Sequence, residues 1–258
     1  MRKTHHHLLR AISFLVAFAF CLTGTAQDKR SAAGRIVQKM LQRYETCSSY
    51  EDIGTVKTSY SGADVRAARK YTFKLYFQRP GRFRFECVDC GPQRKYVIWQ
   101  NIDKAYLLLE RKNPERHHDW LGRYIAERYR SLAAAIGAGA DVSAGAAHTV
   151  PSLLIEDLRG MFVGVADLTD LAIVDEEAFE GVDCYVIEGR NPNSGPWQLW
   201  IDKKEFLLRK VLRRETFEDF STVTEECHHD IRIGEHIPLE TFDVKLPAGV
   251  QVKDVEVE

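Results

Sequence analysis

The chain has 258 residues, 45% of them hydrophobic and 28% charged, which is typical of a globular protein and excludes a largely disordered one. Its 36 basic and 37 acidic residues give a formal net charge of -1. No basic patch or stripe stands out along the sequence, so it carries no footprint of nucleic-acid binding.

The first 26 residues have the pattern of a cleaved signal peptide. Arg2, Lys3 and a run of three histidines precede an apolar stretch at 11–22, and small residues at Gly24 and Ala26 favour cleavage before Gln27. The alternative is an uncleaved membrane anchor, although the apolar stretch is shorter than the roughly 20 residues that span a bilayer. The sequence therefore predicts an exported protein.

The first half of the mature chain predicts one helix followed by a strand meander. A helix over 32–46 has apolar residues at three-to-four spacing, and a strand is expected over 51–60. Apolar and polar residues alternate over 70–86 on either side of Arg79-Pro80-Gly81, which predicts two strands joined by a type II turn. Further strands are expected near 95–100 and 104–111.

A helical insertion is predicted over about 113–160. Apolar residues at helical spacing indicate an amphipathic helix over 120–136, and a short helix is expected over 152–159. The stretch 137–147 between them is rich in Gly, Ala and Ser, which predicts a flexible hinge. The insertion therefore has the pattern of a lid.

The remainder predicts more strands, at 171–177, 182–189 and 220–233, with an extended piece at 240–244. Residues 196–216 predict a β-hairpin turning at Asp202-Lys203-Lys204-Glu205. Trp197, Leu199 and Ile201 share one face of its first strand while Trp200 lies on the other, so both faces are expected to contact apolar groups. No domain boundary interrupts 27–258, and the expected fold class is α+β, with one large curved antiparallel sheet and several helices.

Neither cysteines nor histidines form a convincing reactive site. Of the five cysteines that remain after cleavage, Cys87 and Cys90 have redox spacing, but a strand leads into them instead of a helix beginning there. A structural disulfide or free thiols are the alternatives, and the other three cysteines are Cys47, Cys184 and Cys227. His228 and His229 are adjacent on a strand and cannot both face one ion, and His117-His118 lacks a third ligand. The sequence thus predicts no enzyme activity, metal or cofactor.

Four segments carry a family resemblance: Phe-Gln-Arg-Pro-Gly-Arg-Phe-Arg-Phe at 77–85, Val-Asp-Cys-Tyr-Val-Ile-Glu-Gly at 182–189, Trp-Gln-Leu-Trp-Ile-Asp-Lys-Lys at 197–204 and Ile-Pro-Leu-Glu-Thr-Phe-Asp-Val-Lys-Leu-Pro at 237–247. With the order of elements they resemble the periplasmic LolA-like superfamily, which includes LolA, LolB and RseB. The resemblance implies an unclosed β-barrel whose concave face is covered by helices and encloses an apolar cavity for acyl chains. It also implies a periplasmic location.

The function implied is a periplasmic carrier of a lipid or lipidated protein, as in outer-membrane lipoprotein sorting, working with an inner- or outer-membrane partner. Carriers of this type use an arginine near the cavity, and the sequence does not choose among Arg79, Arg82 and Arg84. The alternative is an RseB-like sensor or interaction module, and less favoured is an exported thiol redox enzyme. The residues predicted to line the cavity are Phe73, Leu75, Phe77, Phe83, Phe85, Trp99, Trp120, Tyr124, Ile125 and Trp200. An aromatic sheet face of this kind also suits a core filled by its own side chains.

Overall fold

The computed structural model describes residues 30–63, 66–91, 95–111, 123–140, 143–161 and 163–255. The predicted signal peptide, Trp120 and His117-His118 lie outside these residues. The helices are α1 (30–46), α2 (Leu132–Ala140), α3 (Ala146–Thr149) and α4 (Pro151–Leu154), and the strands are β1 (Ser49–Gly62), β2 (Arg66–Gln78), β3 (Arg82–Asp89), β4 (Lys95–Asn101), β5 (Lys104–Arg111), β6 (Arg123–Tyr129), β7 (Thr169–Phe179), β8 (Val182–Asn191), β9 (Gly195–Asp202), β10 (Leu208–Thr216), β11 (Phe220–Ile233) and β12 (Val252–Asp254).

One sheet contains all twelve of these strands, in the order β12-β6-β5-β4-β3-β2-β1-β11-β10-β9-β8-β7. Neighbouring strands are antiparallel except for β12, which pairs parallel to β6. The two outermost strands of the order, β12 and β7, do not pair with each other, so the sheet is an unclosed barrel. The predicted α+β class with an unclosed antiparallel sheet is confirmed.

The inner face of the sheet carries the main hydrophobic core, which the helices cover. Alternation along β2 and β3 places Phe73, Leu75 and Phe85 on this face with at most 2% of their surface exposed. Helix α1 adds Met40 and Tyr44, both fully buried. Because side chains alternate between the two faces of a strand, the period-two pattern of β2 and β3 sorts these rings to the inner face.

Two smaller apolar clusters lie on the outer face. Trp99 stacks on Tyr106 with ring centroids 4.9 Å apart, and the C-terminal segment covers this cluster with Val244 and Leu246, among others. Trp200 packs with Cys184 and Val186 near the other border of the sheet. The expectation that both faces of the 196–216 hairpin contact apolar groups is therefore confirmed.

The helix predicted over 120–136 is wrong for residues 123–129 and right only from Leu132 onward. Residues 123–129 form β6, which pairs with β5 and β12, and helix α2 begins only at Leu132. Ile125 and Tyr129 are four residues apart and imitate helical spacing, but in a strand they share one face by alternation. The extended piece predicted at 240–244 is also wrong, because Leu239–Phe242 is a short 3-10 helix.

The Gly/Ala-rich stretch predicted to be a flexible hinge is instead closely packed. A Cβ added to Gly139 would lie 2.6 Å from Ile98 Cδ1, and Ala146 and Ala147 are buried in the main core. Small residues are needed here because the helices approach the sheet too closely for larger ones. The Gly- and Ala-rich composition therefore allows the helices to lie close to the sheet.

The turn between β2 and β3 lies at the predicted position. Gly81 has the expected positive φ, at 70°, and the Arg79–Pro80 peptide bond is cis.

Candidate functional site

The residues predicted to line a cavity fall into two groups by position. Phe73, Leu75 and Phe85 are packed within the core, where the rings of Phe73 and Phe85 stack with centroids 5.5 Å apart. Phe77 and Phe83 lie opposite each other near the β2–β3 turn and line an open pocket. The middle of the inner face is thus filled by side chains, and the open space lies at the end of the sheet.

The remaining predicted residues do not join this group. Trp99, Tyr124 and Trp200 belong to the outer-face clusters. Ile125 is half-buried on β6, opposite Leu109 on β5. The structure therefore brings Phe77 and Phe83 to the pocket and leaves Trp99, Tyr124 and Trp200 on the opposite side of the sheet.

The pocket is at the Arg79 end, by which we mean the end of the sheet formed by the β2–β3 and β4–β5 turns. Its volume is about 500 Å³, within the range of roughly 300–1,000 Å³ usual for small-molecule sites. Its apolar wall comes from the sheet and from the helical segment over it. The apolar residues are Phe77, Phe83, Ala105, Leu132, Ala133, Ile155 and Leu158.

Arg79 joins the helices to the sheet beside this pocket. Its Nε donates to the carbonyl of Cys47 (2.9 Å), and its Nη2 donates to the carbonyls of Glu45 (2.7 Å) and Leu154 (2.9 Å). These carbonyls belong to the last residues of α1 and α4 and the residue after α1, where backbone acceptors lack partners within the helix. One side chain therefore fixes two helix ends against the β2–β3 turn.

Charged side chains surround the apolar wall of the pocket. Arg79, Arg82 and Arg130 contribute cations, and Asp103, Glu156 and Asp157 contribute carboxylates. A ligand in this pocket would therefore meet both apolar and charged groups. This arrangement suits an amphipathic molecule.

A network of buried charged groups lies deeper on the inner face, where sequence reasoning expected none. His228 Nδ1 is 2.7 Å from Asp52 Oδ2, and His228 Nε2 is 3.5 Å from Glu226 Oε1. Arg213 Nη2 donates to Glu226 Oε2 at 2.6 Å. Asp52 and Glu226 are fully buried, and His228 and Arg213 are only 1% and 9% exposed.

The same network holds the helical segment onto the sheet. Glu226 Oε2 also accepts a hydrogen bond from Thr149 Oγ1 (2.8 Å), and Arg213 Nη2 donates to the carbonyl of Ala144 (3.1 Å). On the other side of His228, the hydroxyl of Tyr50 donates a hydrogen bond to Asp52 Oδ2 (2.9 Å). The end of the sheet at the β10–β11 turn, toward which Arg213 lies on β10, is called the Arg213 end.

Burial and charge act against each other in this network. Burial disfavours the His228 imidazolium, but its contacts with Asp52 and Glu226 outweigh that effect and raise the pKa of His228 to about 9. Burial also opposes ionisation of Glu226, yet His228 and Arg213 lower its pKa below the usual value. His228 and Arg213 thus lie against Asp52 and Glu226, so the network pairs two basic side chains with two acidic ones.

The sequence contains a signal for this network in its inward-facing charged residues. Asp52 lies on the same face of β1 as the buried Tyr50 and Val56, and Glu226 and His228 share the buried face of β11. Charged residues at inward positions of predicted strands indicate buried pairs, since an unpaired charge is costly there. Their pairing across 176 residues, between Asp52 and His228, was not readable from the chain.

The cysteines do not form a reactive pair in the structure. Cys47, Cys87, Cys90, Cys184 and Cys227 are all free thiols. Burial raises the pKa of Cys87 to about 12. A redox dithiol needs a lowered thiol pKa, so the Cys87-x-x-Cys90 spacing does not support thiol catalysis.

The adjacent histidines face opposite sides of β11, as predicted. His228 is buried beside Asp52, whereas the ring of the half-buried His229 lies 2.7 Å from Glu180. Within the described ranges, no three His, Cys, Asp or Glu side chains are placed to hold a metal ion together. Those ranges also contain no helix with the length and apolarity required to cross a bilayer.

Comparison with protein families gives one match, over residues 153–255, to a family described as "Predicted periplasmic protein (DUF2092)". The match covers β7 to β12 and the segment before them. No curated protein sequence matches the chain.

Several solved structures are similar to this chain at low identity. A conserved uncharacterised protein from Thermus thermophilus is 10% identical with a TM-score of 0.47, over 87% of this chain and 99% of that one. A LolA superfamily protein from Nitrosomonas europaea is 12% identical with a TM-score of 0.30, over 82% and 97%. The MucB structure from the Pseudomonas aeruginosa MucA/MucB complex is 10% identical with a TM-score of 0.43, over 83% and 61%, so this chain spans less than two thirds of it.

These matches include a structure described as a LolA superfamily protein, the group that the sequence resembles. All three TM-scores are below 0.5, so what those proteins bind is not carried over from them.

Proposed function

We propose that the protein is a periplasmic carrier that binds an acyl chain of a lipid or lipidated protein in the pocket at the Arg79 end. The observation that carries the proposal is the pocket itself, about 500 Å³ with Phe77 and Phe83 on one wall and Leu132 and Ile155 on another. An apolar wall with a charged rim matches an apolar chain with a polar head. No catalytic group is needed for this role.

The energetics of an acyl chain suit reversible carriage. Burying a chain of 14 to 16 carbons at ~0.8 kcal/mol per methylene gives roughly ten kcal/mol before ordering costs. Arg82 and Arg130 on the rim are placed for an anionic head, such as a carboxylate or phosphate. Affinity would then come from the chain and orientation from the head.

Arg79 has a separate role in the proposed carrier. Its hydrogen bond to Leu154 holds the segment that contributes Ile155 and Leu158 to the pocket wall. Entry of a long ligand requires that segment to move away from the sheet. Breaking the Arg79 contacts is therefore the proposed opening step.

Native mass spectrometry of delipidated protein with palmitate or phospholipid tests the proposal. We expect one lipid per chain, and at least tenfold weaker binding in Ala133→Trp, because the indole fills the pocket. Ala138→Trp is the matched control, since Ala138 is exposed on the same helix and does not line the pocket. Absence of lipid from the wild type, or equal binding by both variants, would overturn the carrier and favour the RseB-like interaction module.

We also propose that the chain is cleaved after residue 26 and acts in the periplasm. Residues 1–26 are removed as a signal peptide, and 27–258 act in the periplasm as a single domain, consistent with one sheet that takes strands from 49 to 254. N-terminal sequencing of the protein from the periplasmic fraction should begin at Gln27. A mature protein that retains residues 1–26 would contradict this part.

A further inference from the structure

A second cleft, of about 430 Å³, opens at the Arg213 end, away from the Arg79 end. Its lining comes from β1, β10, β11 and Phe217 between β10 and β11, together with Ala144 and Gly145. We propose that this cleft binds a neutral oligosaccharide, independently of the proposed acyl-chain site.

The outer lip of the cleft is aromatic. Phe217 and Phe220 stack with ring centroids 4.6 Å apart and an interplanar angle of 22°, and Tyr60 lies 6.5 Å from Phe220. Phe217 is 48% exposed, so the face of its ring that does not contact Phe220 is open to solvent. An exposed flat ring offers a stacking surface for the apolar C–H face of a sugar ring.

The floor of the cleft is lined with hydroxyl groups. Thr58 and Thr224 face each other across β1 and β11 with hydroxyl oxygens 3.1 Å apart. Thr222 Oγ1 donates to Glu215 Oε2 over 3.4 Å. Hydroxyls both donate and accept hydrogen bonds, and a carboxylate accepts several, so this floor complements the hydroxyls of a sugar.

Charge in the cleft disfavours an anionic ligand. The Arg213 guanidinium is already paired with buried Glu226 at 2.6 Å, and Glu215 adds a further carboxylate beside it. A phosphate or carboxylate head would approach Glu215 without an uncommitted cation among the described lining residues. This separates the cleft from the arginine-rimmed pocket at the other end.

The wall of the cleft is also preorganised. Gly145 has φ +92°, and a Cβ there would lie 2.5 Å from Arg213 Nη1, so the glycine allows the guanidinium to lie against the backbone. The Arg213 guanidinium carbon is 5.3 Å from the centroid of the Trp197 ring on β9. A fixed wall lowers the ordering cost of binding a flexible chain.

Isothermal titration with chitotetraose, cellotetraose and maltotetraose as probes tests this proposal. We expect one of them to bind, with at least tenfold weaker binding in Phe217→Ala and in Glu215→Gln. Val223→Ala is the control, because Val223 is also exposed, at 40%, but does not line the cleft. Circular dichroism of each variant checks that the fold is retained.

Three results of these experiments would overturn the proposal. No binding of any probe to the wild type at millimolar concentration, or equal binding by Phe217→Ala and Val223→Ala, overturns the proposal. If vesicles of phosphatidylglycerol bind the wild type and lose binding in Phe217→Ala while the sugars do not bind, the aromatic lip is a membrane contact and the proposal is wrong. Palmitate binding in the same variants should be unchanged, which keeps this test distinct from that of the carrier.

Discussion

The Arg79 end and the Arg213 end both use an arginine to hold the segment from Ala144 to Leu154 against the sheet, but the partners differ. Arg79 is bound to three backbone carbonyls beside an apolar pocket. Arg213 is bound to the buried carboxylate of Glu226 as well as to the carbonyl of Ala144. Carbonyls stay neutral over the whole pH range, whereas the carboxylate belongs to a network that titrates.

Because of this difference, we expect the two ends of the segment to differ in how easily they detach from the sheet. Loss of the Arg79 contacts leaves polar groups near the surface, where water replaces the arginine. Loss of the Glu226 contacts leaves charges buried, where water does not reach them. We therefore expect the segment to open at the Arg79 end while it stays attached at the Arg213 end.

The largest expected effect comes from breaking the buried network. Glu226→Gln should lower the free energy of unfolding by about 3–5 kcal/mol, because Arg213 and His228 lose the charge that balances them. Urea unfolding followed by tryptophan fluorescence measures this. Glu225→Gln is the control, since that carboxylate is 42% exposed and pairs with Lys210, and it should cost less than about 1 kcal/mol. Similar losses in the two variants would show that the network contributes little.

The pH dependence of stability should identify His228. Its pKa is raised to about 9 from 6.5 in the unfolded chain, so its contribution is complete below pH 6.5 and is lost as the pH rises through 9. The loss amounts to about 3 kcal/mol, taking 1.36 kcal/mol for each pKa unit. The pKa of Glu226 is lowered, so this carboxylate adds to the free energy of unfolding above the ordinary pKa of a glutamate. That contribution is lost as the pH falls from the ordinary pKa through the lowered one.

Urea unfolding at intervals from pH 6.5 to 9.5 checks this expectation. His228→Gln should be less stable at pH 6.5 and should lose most of the slope with pH. An unchanged slope in that variant would assign the titration to another group.

A smaller effect is expected at the Arg79 end. Arg79→Ala removes three donors from the ends of α1 and α4 and should lower the free energy of unfolding by about 2 kcal/mol, since hydrogen bonds from charged groups are partly replaced by water. Amide hydrogen exchange should quicken in α4 and stay slow in β11. Arg82→Ala, on the rim of the same pocket, should change neither quantity, and an equal effect of the two substitutions would remove the special role of Arg79.

Sequence patterns predicted the strands well because alternation is local. The spacing of Phe73, Leu75 and Phe77 on β2 and the two faces of the β9 strand were predicted from neighbouring residues alone. Strand β6 was misread because its apolar residues also fit helical spacing, and only its pairing with β5 and β12 resolves the ambiguity. Periodicity cannot choose between the two when a short segment fits both.

The site was less predictable than the fold, because it depends on which inward residues meet. Phe77 and Phe83 line the pocket, but nothing in the alternation distinguishes them from Phe73 and Phe85 in the filled core. Their position beside the β2–β3 turn makes the difference. Likewise, the partners of Arg79 are carbonyls of α1 and α4, which only the folded chain brings to one place.

The C-terminal segment crosses the outer face from β11 to β6, where β12 adds to the border of the sheet. It joins strands that are far apart in sequence, so its docking closes a long loop of chain. Without this segment, Trp99 and Leu108 would present an apolar surface on the outer face. The tail of the chain therefore acts as a cover that keeps this surface from associating with other molecules.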